Sequence, residues 1–443
     1  MKRKFSTIWI LATLTIFACT LGQTPPERSF PELDTVQEES AQPETDSPLP
    51  LAGEGLGVGE NLIHPDNFTY LGAFRLPDAS GGSNWEYSGH GLTHRPAADQ
   101  AQNTYGSLFG FGHDQHLQVS EISIPEPIIS KNLDDLNTAT TIQPFADISG
   151  GLFSPEEMSI PRAGIAYLNE RLYFTFGQHI QDFEPSHGSA SLNLTDAEGA
   201  YIFGNYTNYI TNDYLLEIPP EWASALGGYP LASGRAREGL WSGRGPALFA
   251  YKPDVVSNGV LTDVVPLLLY GTQGAAPDII SDESMAVNDY HDADHWWGVS
   301  WLTAGENTAV IFAGTKALGN EWYGFANGVV WDYSCSENNS CPDVPDFPYD
   351  DRGFWSESYQ PQIIFYDPAQ LVAVANSESE SWQPQPYATL DLSEYLLAPE
   401  LDFHNYKRDI IGAIAFDREN GRLYVIERLA DEYKSVIHVW QVE

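Results

Sequence analysis

From residue 68 onward, apolar and aromatic residues come in short runs, cut every ten to fifteen residues by Gly, Pro, Asn or Asp. Short runs rich in β-branched and aromatic side chains predict strands, and this spacing predicts a sandwich, a barrel or a propeller. Helical periodicity is scarce. Short helices are expected at 220–225 and 368–375, where Asp367-Pro368 suits a helix start.

A weak repeat separates the β architectures. Gly91-Leu92-Thr93-His94 leads into Ser107-Leu108-Phe109-Gly110-Phe111, and Gly164-Ile165-Ala166-Tyr167 into Arg171-Leu172-Tyr173-Phe174-Thr175-Phe176. Gly298-Val299-Ser300-Trp301 leads into Thr308-Ala309-Val310-Ile311-Phe312, and Gly412-Ala413-Ile414-Ala415-Phe416 into Arg422-Leu423-Tyr424-Val425-Ile426. Each copy reads as a small-residue inner strand, a turn, and a second strand with an aromatic; Asn420-Gly421 is a strong hairpin signal. Outer third strands are expected at 117–124, 214–218, 362–366 and 436–442. A fifth, more degenerate unit runs from Gly245-Pro246-Ala247-Leu248-Phe249-Ala250-Tyr251 to 267–270. The repeat predicts an all-β fold, a β-propeller with about five long blades, or six or seven if the insertions hide more. The strand Phe68-Thr69-Tyr70-Leu71-Gly72-Ala73-Phe74 would pair with the last blade, closing the ring and removing its open edges. A β-sandwich with long loops is the alternative.

The first eighteen residues change the picture of where the protein acts. Lys2, Arg3 and Lys4 precede an apolar stretch too short to span a bilayer comfortably, which ends in Ile16-Phe17-Ala18-Cys19. This is a signal peptide of lipoprotein type with Cys19 as the lipidated residue, although Phe17 departs from the usual pattern. Ordinary cleavage without lipid and an uncleaved anchor are the alternatives. Residues 20–60 hold nine carboxylates against Arg28, with six prolines and repeated glycine. Such a stretch buries too little apolar surface to offset its ordering entropy, so 19–60 reads as a flexible tether and 61–443 as a single propeller domain.

The formal charge is −40, which argues against nucleic acid or an anionic membrane surface as partner. Membrane association is expected only through the N-terminal lipid or anchor, and the protein is expected to be a monomer. Cys335 and Cys341 are separated by five residues in a polar loop, a spacing that suits a disulfide in an oxidising compartment. A zinc pair is the alternative, without a second cysteine pair to support it.

The chain resembles a group of exported bacterial proteins with propeller-like repeats whose function is not established. The resemblance rests on Phe68-Thr69-Tyr70-Leu71-Gly72-Ala73-Phe74-Arg75-Leu76-Pro77, on Gly112-His113-Asp114, and on Val119-Ser120-Glu121-Ile122-Ser123-Ile124-Pro125. It rests also on Glu238-Gly239-Leu240-Trp241-Ser242-Gly243-Arg244-Gly245-Pro246 and Leu423-Tyr424-Val425-Ile426-Glu427-Arg428. It covers most of residues 66–442 and implies the fold and export, not an activity.

In a propeller, loops before the inner strands and after the second strands converge on one face. His90, Arg162, His295 and Asp409 fall before inner strands; His113, Asp114, His116, Gln178, His179, Lys316, Glu427 and Arg428 fall after second strands. Nine of the eleven histidines lie between residues 64 and 295. Neutral imidazoles from different blades, His113, His179 and His295 foremost, could hold a divalent metal ion with Asp114, Gln178 or Asp292 as oxygen ligands. Hydrogen-bonded loop histidines are the simpler reading, since no local spacing is diagnostic. Arg237, Glu238, Trp241 and Arg244 could form a rim that stacks on sugars and pairs with carboxylates. Glu86, Asp114, Glu238 and Glu427 are candidate glycosidase carboxylates, a weak nomination among 61 acids. No Gly-x-Ser-x-Gly elbow, phosphate loop or dinucleotide fingerprint is present. The expectation is an exported propeller that binds an extracellular carbohydrate or envelope protein at its channel face. A metal-dependent lyase or hydrolase acting on an extracellular polysaccharide is the alternative.

Overall fold

A computed structural model describes Gly59 and residues 61–98, 104–179, 181, 183–236, 240–271, 284–332, 335, 341, 343–346, 352–397 and 407–443. The segment expected to be a signal peptide, with Cys19, nearly all of the expected tether, and Glu238 with its neighbours Arg237 and Gly239 therefore lie outside the described residues. No helix among the described residues is long and apolar enough to cross a membrane.

Five antiparallel sheets stand in a ring. The first blade is β2 (Leu92–Arg95), β3 (Ser107–Phe111), β4 (Val119–Ser123) and β5 (Thr141–Ala146). The second is β6 (Arg162–Leu168), β7 (Arg171–Gly177), β8 (His187–Ser191) and β9 (Glu198–Phe203). A two-stranded ribbon, β13 (Val256–Ser257) and β14 (Val260–Leu261), extends that sheet. The third is β10 (Tyr214–Glu217), β11 (Leu231–Arg235), β12 (Ala247–Tyr251) and β15 (Val264–Leu268). The fourth is β16 (His295–Ala304), β17 (Asn307–Gly324), β18 (Gly353–Tyr366) and β19 (Ala388–Asp391). The fifth is β20 (Ile411–Asp417), β21 (Arg422–Asp431), β22 (Lys434–Val442) and, from the other end of the chain, β1 (Phe68–Arg75). The innermost strands contact one another in a closed cycle, β2 to β6 to β10 to β16 to β20 and back to β2. The fold is a five-bladed propeller, and the sandwich alternative fails because the five sheets close into a cycle instead of pairing as two layers.

Its core is divided among the blade interfaces. Phe109, Phe111, Ile165 and Phe174 pack between the first two blades; Phe203, Leu215, Leu231 and Phe249 pack between the next two. Trp296, Trp301 and Phe312 meet Tyr214 and Leu248 between the third and fourth. Ile311 and Ile363 meet Ile414 and Trp440 between the fourth and fifth, and Leu92 and Leu108 meet Tyr424 and Ile437 to complete the circle. Strands buried on both faces explain why their sequences read as near-continuous apolar runs.

The glycines that led each unit have a steric cause. A Cβ on Gly164 would lie 2.8 Å from the backbone of Tyr214 and Leu215, and one on Gly412 2.7 Å from the Gly89 carbonyl. Near the axis, inner strands of neighbouring blades approach too closely for a side chain. The two-residue turn Asn169-Glu170, both at positive φ, matches the twist of the β6–β7 hairpin.

Closure follows the expected route, Phe68 pairing with Val442 and Arg75 with Val436 along β22. The expected helices form as α1 (Pro220–Ala225) and α2 (Pro368–Ala375), the latter capped by Asp367, whose side chain accepts from the Ala369 amide at 2.8 Å. Two strand assignments shift. Residues 214–218, expected as the outer strand of the second unit, form the inner strand of the third blade, and 247–251, expected as an inner strand, form its third strand. The third blade's inner strand carries no leading glycine, so its sequence does not advertise its place. In the fourth blade β17 and β18 run on past the sheet as a ribbon, and the chain beyond them holds the Cys335–Cys341 disulfide. A disulfide suits a compartment outside the reducing cytoplasm.

Candidate functional site

Five inner strands surround an axial channel, and each contributes one aliphatic side chain to its waist: Leu92, Ile165, Leu215, Val299 and Ile414. Four of these also line the cavity on the other side, together with His94, Tyr167, Glu217 and Arg418. The waist thus separates two mouths. At the far mouth Arg418 donates to the Trp301 carbonyl at 3.1 Å and reaches Glu217 at 3.5 Å, and burial raises the pKa of Glu217 against the pull of Arg418.

The near mouth is the face on which the candidate residues were expected. Its centre is Trp297. Trp296 pairs with Gly314 and Gly298 with Ala313, so Trp297 is the extra residue of a bulge. A bulge re-aims a side chain; while Trp296 packs between blades, Trp297 joins the lining of the axial cavity. His90 of the first blade stacks on it with ring centroids 5.4 Å apart. Arg162 of the second blade and Arg428 of the fifth place their guanidinium carbons 4.4 and 4.6 Å from its ring centroid. His295, one pleat away, has its ring centroid at 6.0 Å.

His295 connects this cluster to the fifth blade. Its Nδ1 lies 2.6 Å from Asp409 Oδ1 and 3.2 Å from Trp297 Nε1. One ring nitrogen cannot donate to a carboxylate and accept from an indole at once; the shorter contact places the proton on Nδ1, donated to Asp409. Burial opposes ionisation of Asp409, but His295, Arg408 and Arg428 outweigh it and hold its carboxyl well below the usual carboxylate range. Arg428 is held in place by the Ser88 carbonyl at 3.1 Å and the Tyr87 and Asp409 carbonyls at 3.3 Å each. Arg408 lies 4.4 Å over the Trp355 ring at the root of the β17–β18 ribbon.

Of the residues expected here, His90, Arg162 and His295 therefore converge. His113 and His179 do not join them. His113 lies beside His116, ring centroids 4.8 Å apart, and 3.2 Å from Asp114, on the loop after β3. Burial lowers the His113 pKa, opposed by Asp114. His179 contributes its carbonyl, which accepts from the buried Arg235 at 2.6 Å. Among the described residues no three His, Cys, Asp or Glu side chains are grouped to hold a metal ion.

Trp241 and Arg244 lie in the loop between β11 and β12, which opens on the same face. Trp241 is 52% exposed beside Tyr209, ring centroids 5.1 Å apart. Arg244 anchors its loop through its backbone, donating to the Gly271 carbonyl at 2.8 Å and accepting from the Val287 amide at 2.9 Å. Glu427, nominated as an acid, is instead buried against His438 at 2.7 Å and accepts from the Leu397 amide. Sequence reasoning passed over Arg408 and Tyr209. The doubled Trp296-Trp297, which breaks strand alternation, was the available signal for the bulge. No known family model matches the chain, and no characterised protein matches it.

Proposed function

We propose that this protein is an exported, lipid-anchored propeller that binds an extracellular carbohydrate on its near face. The observation that carries this reading is Trp241, half in solvent against the partly buried Tyr209 ring, on the face that bears the axial mouth. A tryptophan left half in solvent on a face otherwise organised by buried rings is suited to stack on a pyranose. The signal-like N-terminus, the acidic proline-rich tether, the disulfide and the resemblance to exported bacterial proteins support an extracytoplasmic setting.

A glycan array probed with the mature protein tests the reading, with Trp241→Ala as the paired variant. Binding of a glycan class by the parent and its loss in the variant, at unchanged thermal midpoint, is the expected result. Equal binding by both proteins would remove the aromatic pair from the site, and silence across the array would remove carbohydrate as the ligand.

A further inference from the structure

Away from Trp241, the near face carries a second aromatic group, between the fifth and first blades. Tyr433 in the β21–β22 turn is 52% exposed, and its ring stands 5.4 Å from that of Tyr87 in the chain leading into β2. The Tyr87 ring meets His113 at 5.5 Å, and His113 meets the exposed His116 at 4.8 Å. Backbone bonds fix the tyrosine pair. The Tyr87 amide donates to the Tyr433 carbonyl at 2.7 Å, and the Tyr87 carbonyl accepts from Arg428 at 3.3 Å.

The charges around these rings are negative. Asp114 Oδ1 lies 3.2 Å from His113 Nδ1, but that nitrogen also accepts from the Gln115 amide at 3.2 Å. A neutral His113 therefore carries its proton on Nε2 and has none to give Asp114, and burial disfavours the charged ring. Among the described residues no cation pairs with Glu86; Lys434, opposite it in a backbone bridge, turns its ammonium to Asp431 at 3.5 Å. Arg428 stands behind the Tyr87 carbonyl, with its charge set against Asp409. Burial raises the Tyr87 pKa, and Tyr433, Glu86 and Asp114 all act in the same direction. An exposed ring pair flanked by such carboxylates suits a cation, which the ring faces and the charges both attract. The chain as a whole, with 61 acidic against 21 basic residues, draws the same kind of ligand from solution.

Resting on the reading of this face as a carbohydrate site, we infer that the glycan is basic, and that the Tyr87–Tyr433 pair with Glu86 and Asp114 receives one of its ammonium groups.

Calorimetric titration of the mature protein at pH 6 would use the tetramer of β-1,4-linked glucosamine, whose amines are protonated there, and its fully N-acetylated counterpart. The parent is expected to bind the amine about tenfold more tightly than the amide, or better. Tyr433→Ala and Glu86→Gln should each lose most of that preference, while Tyr433→Phe keeps the ring and the preference with it. Glu378→Gln, which removes the same charge from the exposed turn after α2, should bind as the parent does. Thermal unfolding confirms that each variant is folded. Equal affinity for amine and amide, or tighter binding of the amide, overturns the inference and leaves the carbohydrate reading in place. An amine preference that survives Tyr433→Ala and Glu86→Gln, or that falls equally in Glu378→Gln, is attraction by the overall charge and overturns the site. No binding of either sugar also overturns the inference, and the carbohydrate reading then stands or falls with the glycan array.

Discussion

Replacing His187 with glutamine should flatten the acid side of the stability profile. His187 opens β8 and is buried between the second and third blades, its ring stacked on Phe203 at a centroid distance of 4.3 Å. Nδ1 lies 2.9 Å from Ser186 Oγ and Nε2 2.9 Å from Ser233 Oγ. Hydroxyls serve either tautomer of a neutral imidazole but do little for an imidazolium, and burial pushes the His187 pKa down to about 3. The folded value lies below the unfolded one of about 6.5, so above that pH the group's titration leaves stability unchanged. Below it the unfolded chain takes up a proton that the native state refuses, and stability falls by about 1.4 kcal/mol per pH unit until the pH nears the folded value. Between pH 7 and 5 the loss comes to about 2 kcal/mol, and it hardly changes for any folded value below about 4. Urea unfolding followed by tryptophan fluorescence at pH 7, 6 and 5 measures it. His187→Gln should start less stable at pH 7, having lost the ring stack, and its deficit should shrink by about 2 kcal/mol at pH 5. Comparing the two proteins cancels the contributions of His94 and His113, whose pKa values burial also lowers. Parallel stability curves for the two proteins would refute a neutral, buried His187.

Gly164→Val should lower the urea midpoint by the equivalent of about 1–3 kcal/mol or more, because its Cβ would meet backbone of the next blade at 2.8 Å; an unchanged midpoint would deny the close approach of inner strands. Deleting the N-terminus through Arg75 removes β1 and bares the edge of β22, so light scattering should show more self-association than for the full chain. Cys335→Ser with Cys341→Ser should cost at most about 2 kcal/mol by calorimetry, since the closed loop is short and lies beyond the fourth sheet.

Much of the fold was legible because its constraints are local. Short apolar runs, hairpin turns and leading glycines repeat with each blade, since each blade must present the same thin inner edge to the axis. The misplaced strands mark where that rule is relaxed: Tyr214–Glu217 reaches the axis without a leading glycine, so the degenerate segment at 245–251 was taken for the inner strand instead. The candidate site was legible as a face but not as a cluster. His90, Arg162 and His295 precede inner strands and meet at Trp297, and Arg428, which follows a second strand, joins them.

The sequence alone, then, determined an all-β chain of about five repeats, a closing N-terminal strand, two short helices and a disulfide-compatible cysteine pair, because strand pattern and turn chemistry act over a few residues. Tertiary structure decided which of two adjacent tryptophans turns toward the axis, which arginines it holds and which histidines meet there. Those outcomes depend on one bulged residue and on which loops the five blades bring together around a shared axis, and neither is carried by spacing along the chain.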